Sequence, residues 1–250
     1  MSISLDEAVE LTRTGDVWVF RGSSVPDRAI QFTTNSPVNH VGMAVVLDDM
    51  PPLMWHAELG RSLPDLWSGS HQRGVQLHDL RDAVSVWANR YGQRAWLRQL
   101  DPPADGEMER AVLRTIARLD GTPFPSTAQL AWRWVRGRVP ALPHLGRPAL
   151  PRLGRSALPR LGRSALPRLG RPAPRPTPDR SAASPVERDR ALETAYCAEV
   201  VAVTYEAMGL LPAGRRPNWY DPGRFWSGDD LGLAADARLG SEIEVRVPPR

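Results

Sequence analysis

Asn39-His40-Val41-Gly42-Met43-Ala44-Val45-Val46-Leu47 is an apolar, β-branched run, and the Asp48-Asp49-Met50-Pro51-Pro52 behind it is turn chemistry. Leu53-Met54-Trp55-His56-Ala57 follows as a second short apolar run, so 40–47 and 53–58 read as an antiparallel hairpin. Strand alternation puts His40, Gly42 and Ala44 on one face. Gly42 leaves room beside His40 for a close-approaching group. His56 lies on the partner strand within cross-strand reach of His40, and Glu58 stands two residues further along the same face.

Outward from this hairpin, the pattern alternates between helix and strand periods. Leu5 to Leu11 reads as a short amphipathic helix, and Gly15-Asp16 turns into the strand-like Val17-Trp18-Val19-Phe20. Pro26 to Phe32 reads as a helical turn with Ile30 inward. Gly74-Val75-Gln76-Leu77 and Ala95-Trp96-Leu97 are further strand candidates. Glu107 to Leu119 carries Met108, Val112, Ile116 and Leu119 at helical spacing and stops at Gly121. Ser184-Pro185-Val186-Glu187 has capping-box form, with Pro at the first helical position. Short strands in a meander, flanked by helices, indicate an α+β domain with an antiparallel sheet.

Between the two halves lies an octapeptide repeat: ALPHLGRP from Ala141, ALPRLGRS from Ala149 and Ala157, and ALPRLGRP from Ala165. Proline removes backbone donors, glycine adds chain entropy, and two Leu per unit bury too little to offset ordering. The expectation is a single domain built from 1–139 and 185–250, interrupted by a disordered, partly polyproline-like linker over 140–184. That linker holds nine Arg against one acid, Asp179, a surplus of eight; since the whole chain is +4, the remainder is net −4. The basicity therefore belongs to the insert, which offers an Arg array to an anionic surface or polyanion, or is a tolerated loop expansion. A mildly acidic remainder argues against specific nucleic-acid binding.

At 250 residues, 42% hydrophobic and with nine Trp, the chain can build a substantial core. One cysteine excludes an intramolecular disulfide. MSISLDEAVELTRTGD has no signal-peptide apolar region, and no run is long enough to span a membrane, so the expected location is cytoplasmic.

The lone cysteine, Cys197, lies in Thr194-Ala195-Tyr196-Cys197-Ala198-Glu199-Val200-Val201, which opens a helical pattern running to Met208 and stopping at Gly209. A thiol in the first helical turn feels unpaired N–H groups and the positive end of the dipole, and both favour the thiolate. The same residue shares a stripe with Val201 and Met208, as a buried structural cysteine does. Of the five histidines, His71 and His78 sit in polar surroundings read as solvated loops, and His144 belongs to the repeat. His40 and His56, on strands, are the candidates for a proton acceptor and its orienting partner.

Several of these pieces together resemble a known family. Gly15-Asp16-Val17-Trp18-Val19-Phe20-Arg21-Gly22, Thr33 and Ser36 before Asn39-His40-Val41-Gly42-Met43, and Tyr196-Cys197-Ala198-Glu199-Val200-Val201 with Met208-Gly209-Leu210-Leu211 are similar to the circularly permuted papain-like hydrolases. These form the YiiX/YebB-like branch of the NlpC superfamily, related to lecithin:retinol acyltransferase. Asp221-Pro222-Gly223-Arg224-Phe225 and, more loosely, Gly121-Thr122-Pro123-Phe124 add to the likeness. The resemblance implies a permuted papain-like domain, with Cys197 as nucleophile, His40 as general base, and His56 or Glu58 as the third polar residue. It implies an amide- or ester-cleaving hydrolase of peptides or lipids acting through a thioester, without a cofactor, or an acyltransferase if the acceptor is not water. A non-catalytic papain-like module, tethered to an anionic surface by its Arg repeat, is the competing function. Cys197, His40 and His56 also make up a legitimate zinc ligand count, although no second cysteine or H-x-x-x-H element accompanies them.

Overall fold

A computed structural model describes residues 1–22, 37–58, 60, 62–123, 197–214, 219–228, 231–234 and 236–249. The expected linker over 140–184, the turn at Pro26–Phe32, Thr33, Ser36, Phe124, the Ser184–Glu187 cap and Tyr196 lie outside the described residues.

The described elements are β1 (Ser2–Ser4), α1 (Leu5–Leu11), β2 (Val17–Arg21), β3 (His40–Val45), β4 (Leu53–Glu58), β5 (Gly74–Asp79), α2 (Leu80–Tyr91), β6 (Arg94–Arg98), β7 (Leu100–Asp101), α3 (Gly106–Leu119), α4 (Cys197–Ala207), a 3₁₀ turn (Pro222–Phe225), β8 (Arg238–Leu239) and β9 (Ile243–Arg246). Seven strands form one sheet in the order β1-β9-β6-β2-β3-β4-β5, while β7 and β8 pair separately. All sheet neighbours are antiparallel except β1 with β9. The α+β class and the hairpin of the 40s and 50s are as the sequence indicates, with Met43 opposite Trp55 and Val45 opposite Leu53.

The two faces of the sheet are covered by different helices. Val17, Val19, Val41, Met43, Val45, Trp55, Ala57, Val75 and Leu77 point to one side, where α3 and α4 pack on them. Trp18, Phe20, Ala44, Met54, Ala95 and Leu97 point to the other, under Leu5 and Ala8 of α1 and Leu80, Ala83, Val84 and Trp87 of α2. Helix α4 is buried on nearly every side, from Cys197 to Tyr205, as an apolar-all-round sequence requires. Its Thr204 hydroxyl donates to the Val200 carbonyl (2.7 Å) and accepts from the Trp55 indole (3.1 Å), so the helix is pinned to β4. Gly209 takes the left-handed conformation (φ 78°) that ends this helix.

The Gly15-Asp16 pair has a structural job. Gly15 adopts φ 90°, and a Cβ there would lie 2.9 Å from Leu100 Cδ2. Its carbonyl accepts the Tyr205 hydroxyl at 2.6 Å, tying this turn to α4. The Asp16 carboxylate accepts the Arg13 and Leu100 N–H groups, each at 2.8 Å. Burial raises its carboxyl to about 6, against the opposing pull of those two N–H groups and of the Arg13 charge.

Helix α2 and strands β1, β7, β8 and β9 are additions to the sequence reading. The α2 segment mixes Ser85, Arg90 and Asn89 with its apolar residues, which blurs its periodicity. Its ends are clear nonetheless: the Asp79 carboxylate accepts the Asp82 N–H at 2.9 Å, and Gly92 (φ 62°) closes the helix.

Candidate active site

Three imidazoles lie in a row across β3, β4 and β5. His40 Nε2 is 3.2 Å from His56 Nδ1, and His56 Nε2 is 3.1 Å from His78 Nδ1. The in-register pairing of β4 with β5 and the common pleat face of residues 40, 56 and 78 produce this row. Trp87 of α2 forms its wall, meeting the rings of His40 and His56 edge-on at 5.0 and 4.9 Å. Gly42 leaves no free space: a Cβ there would fall 2.4 Å from Met54 Sδ and 3.3 Å from His56 Cβ. The room read into that glycine is filled by these two side chains.

His78 corrects the sequence reading, which put it in a solvated loop. It belongs to β5 and is 1% exposed. Its polar neighbours in sequence suggested solvent, but the strand's pleat turns this side chain inward. His71 is exposed. Between the two candidate orienting groups, it is His56 that bonds His40. The Glu58 Oε1 instead accepts the Ser62 hydroxyl (2.6 Å) and N–H (3.3 Å).

The direction of the protons in the row is set by its tautomers, since a neutral imidazole donates from one nitrogen and accepts at the other. When His56 donates to His78 Nδ1, His56 Nδ1 accepts from His40 Nε2 and His40 Nδ1 is left unprotonated; in the opposite order His40 Nε2 accepts from His56 and His40 carries its proton on Nδ1.

Burial holds the whole row neutral. His40 is lowered to about 3 by desolvation and by the neighbouring His78. Desolvation also lowers His56 strongly, with His78 and His40 adding to it. His78 is lowered by desolvation too, but Glu58 and Asp65 oppose the shift. Positive charge in this row is therefore best tolerated at the His78 end.

Cys197 approaches from the other side of the sheet. The residue is 5% exposed and joins the cluster of Val41, Met43 and Trp55, whereas the His40 ring packs with Phe20 and Trp87 on the opposite face. Sulfur and ring thus flank one short piece of β3. Burial pushes the thiol up to about 11, opposed by the N–H groups of Val41, Ala198 and Cys197 itself, while Glu199 adds to the rise. The Val41 N–H beside His40 favours the thiolate, and no hydrogen bond joins the sulfur to an imidazole among the described residues. Nor do Cys197, His40 and His56 converge as metal ligands among the described residues; the group that does is His56, Glu58 and His78.

No family model matches the chain, and no curated protein matches it. A similar solved structure is the metalloprotein yiiX from Escherichia coli O157:H7, labelled DUF1105, at 16% identity and a TM-score of 0.42. The likeness covers 78% of this chain and 65% of that one, so this chain spans under two thirds of that protein's length. At this score it carries no inference about fold or activity.

Proposed function

We propose that the protein is a cysteine-dependent hydrolase with a permuted papain-like arrangement, cleaving an amide or ester bond of a peptide or lipid through a thioester. One observation carries this reading: Cys197 packs in the cluster that contains Val41, the residue after His40, at one end of a three-imidazole row whose far end is flanked by carboxylates.

In the resting state both partners are neutral, a protonated thiol and a free imidazole. A pair so far apart in proton affinity forms no standing thiolate–imidazolium. The nucleophile has to arise during attack, and because ring and sulfur lie on opposite faces the His40 end of β3 has to rearrange before His40 takes the thiol proton at an unprotonated Nδ1. The proton on Nε2 can then pass to His56, and that on His56 Nε2 to His78. This moves the positive charge towards Glu58 and Asp65, where it is least costly. The N–H groups of Val41, Ala198 and Cys197 that now surround the sulfur are the donors available to a developing oxyanion. Attack forms a tetrahedral intermediate; the proton returns along the row to His40 and from it to the leaving oxygen or nitrogen, so the alcohol or amine departs neutral and an acyl-thioester remains; water then releases the acid, or another acceptor takes the acyl group, as in an acyltransferase.

Labelling with a panel of acyl electrophiles tests this. Label on Cys197 in the wild type, abolished in Cys197→Ala and strongly reduced in His40→Ala, is the expected result. Unchanged labelling in His40→Ala removes the base from the scheme.

The burial of the thiol and the placement of the His40 ring on the opposite face favour a second reading, a non-catalytic binding module. In that case the thiol stays inert to every acyl electrophile. The Arg-rich 140–184 segment is proposed, in either reading, to hold the protein at an anionic surface; deleting it and measuring binding to anionic vesicles tests that role. Among the described residues no helix is long and apolar enough to cross a membrane.

A further inference from the structure

We infer that His56, Glu58 and His78 form a binding site for a divalent transition metal of the zinc class. One ligand atom from each lies within 4.8 Å of the other two. The nitrogens His56 Nε2 and His78 Nδ1 are already 3.1 Å apart. Two imidazoles on a tetrahedral zinc, at about 2.0–2.1 Å each, sit roughly 3.3 Å from one another, so the rings need to part by only a few tenths of an ångström. The carboxylate closes the remaining distance. It ends a side chain with several rotatable bonds at the last residue of β4, and its Oε2 takes no hydrogen bond among the described residues.

Two further features suit a metal. Both rings are buried on rigid, paired strands, and His56 has an outer group, the His40 ring, behind its Nδ1. Such outer groups fix the tautomer and orientation of metal-bound histidines. The donor set, two nitrogens and one oxygen, leaves a fourth position for water.

Metal binding would fix the direction of the imidazole row. With the metal on His56 Nε2, the proton moves to His56 Nδ1, which then donates to His40 Nε2. His40 must carry its own proton on Nδ1 and can no longer accept one there. If the hydrolase reading holds, the bound metal therefore switches the site off; the metal site itself does not depend on that reading.

The test uses the full chain, stripped with a chelator and titrated with Zn²⁺ against a chromophoric indicator, and with Co²⁺ by visible spectroscopy. About one equivalent of metal per chain is expected, with d–d bands of a low-symmetry, four-coordinate cobalt and no thiolate-to-cobalt charge-transfer band. Affinity should fall about 100-fold or more in Glu58→Gln and in His78→Ala, and stay unchanged in Cys197→Ala and His71→Ala. Glu58→Gln is decisive if the histidine variants misfold by circular dichroism, because residue 58 is only partly buried at a strand end. The proposal is overturned by absence of stoichiometric metal in the wild type, by undiminished affinity in Glu58→Gln, or by a charge-transfer band that vanishes in Cys197→Ala. None of these readouts depends on turnover.

Discussion

Acid should unfold this protein in part through its imidazole row, and His40 gives a number to check. In the unfolded chain this ring takes up a proton below about pH 6.5; in the folded chain it does so only at about 3. Across that window the unfolded state binds more protons, so stability rises with pH there and is lost as pH falls. Between pH 8 and pH 5 the loss from this one ring is about 2 kcal/mol, taking 1.36 kcal/mol per pH unit below the unfolded value. His56 and His78 act in the same direction, because their affinities are lowered as well. Asp16 and Asp120 oppose them. Each is raised to about 6 by burial, so each favours the folded state increasingly as pH falls through that value. Comparing the wild type with His40→Gln cancels those common contributions. Urea unfolding followed by tryptophan fluorescence at pH 8 and pH 5 should show the wild type losing about 2 kcal/mol more than the variant over this interval. Relief of the His40–His56 repulsion in the variant widens the gap. Parallel pH dependences in the two proteins would refute the claim that the fold holds His40 neutral.

Four other outcomes follow. With its thiol raised to about 11, Cys197 at pH 8 should react with iodoacetamide roughly 200-fold more slowly in the folded chain than in urea, where the thiol titrates near 8.5; equal rates would mean the sulfur is not buried. Gly42→Ala puts a methyl 2.4 Å from Met54 Sδ, inside a packed layer, and should cost about 1–3 kcal/mol in urea unfolding; an unchanged midpoint would show that the layer yields. Asp16→Asn loses one of the two acceptors facing Arg13 and Leu100 and should cost about 1–3 kcal/mol, measured in the same way. If Cys197 is the nucleophile, zinc should slow its acyl labelling and a chelator restore it, with Glu58→Gln insensitive to both; zinc inhibition that persists in this variant would place the metal elsewhere.

The strand period alone fixes that His40, His56 and Glu58 share a pleat face, because alternation depends only on residue spacing once the hairpin register is set. Helical spacing and glycine's tolerance of left-handed backbone made the Gly15-Asp16 turn, the Glu107–Leu119 helix and the stop at Gly209 legible in the chain as well. His78 was not. Its neighbours His71, Gln72, Arg73 and Asp79 are polar, and only pairing β5 with β4 reveals that its side chain turns inward onto His56. Nor could the sequence say on which side of the sheet the Cys197 helix lies. Periodicity identifies the apolar stripe of a helix and the two faces of a strand, but not which stripe covers which face. That choice is made by long-range packing: Thr204 against Trp55, Tyr205 against Gly15, and Trp87 against the imidazoles. The sequence thus supplied a sulfur and two imidazoles as candidates, and tertiary packing alone decided that they flank one strand and that a third ring completes the row.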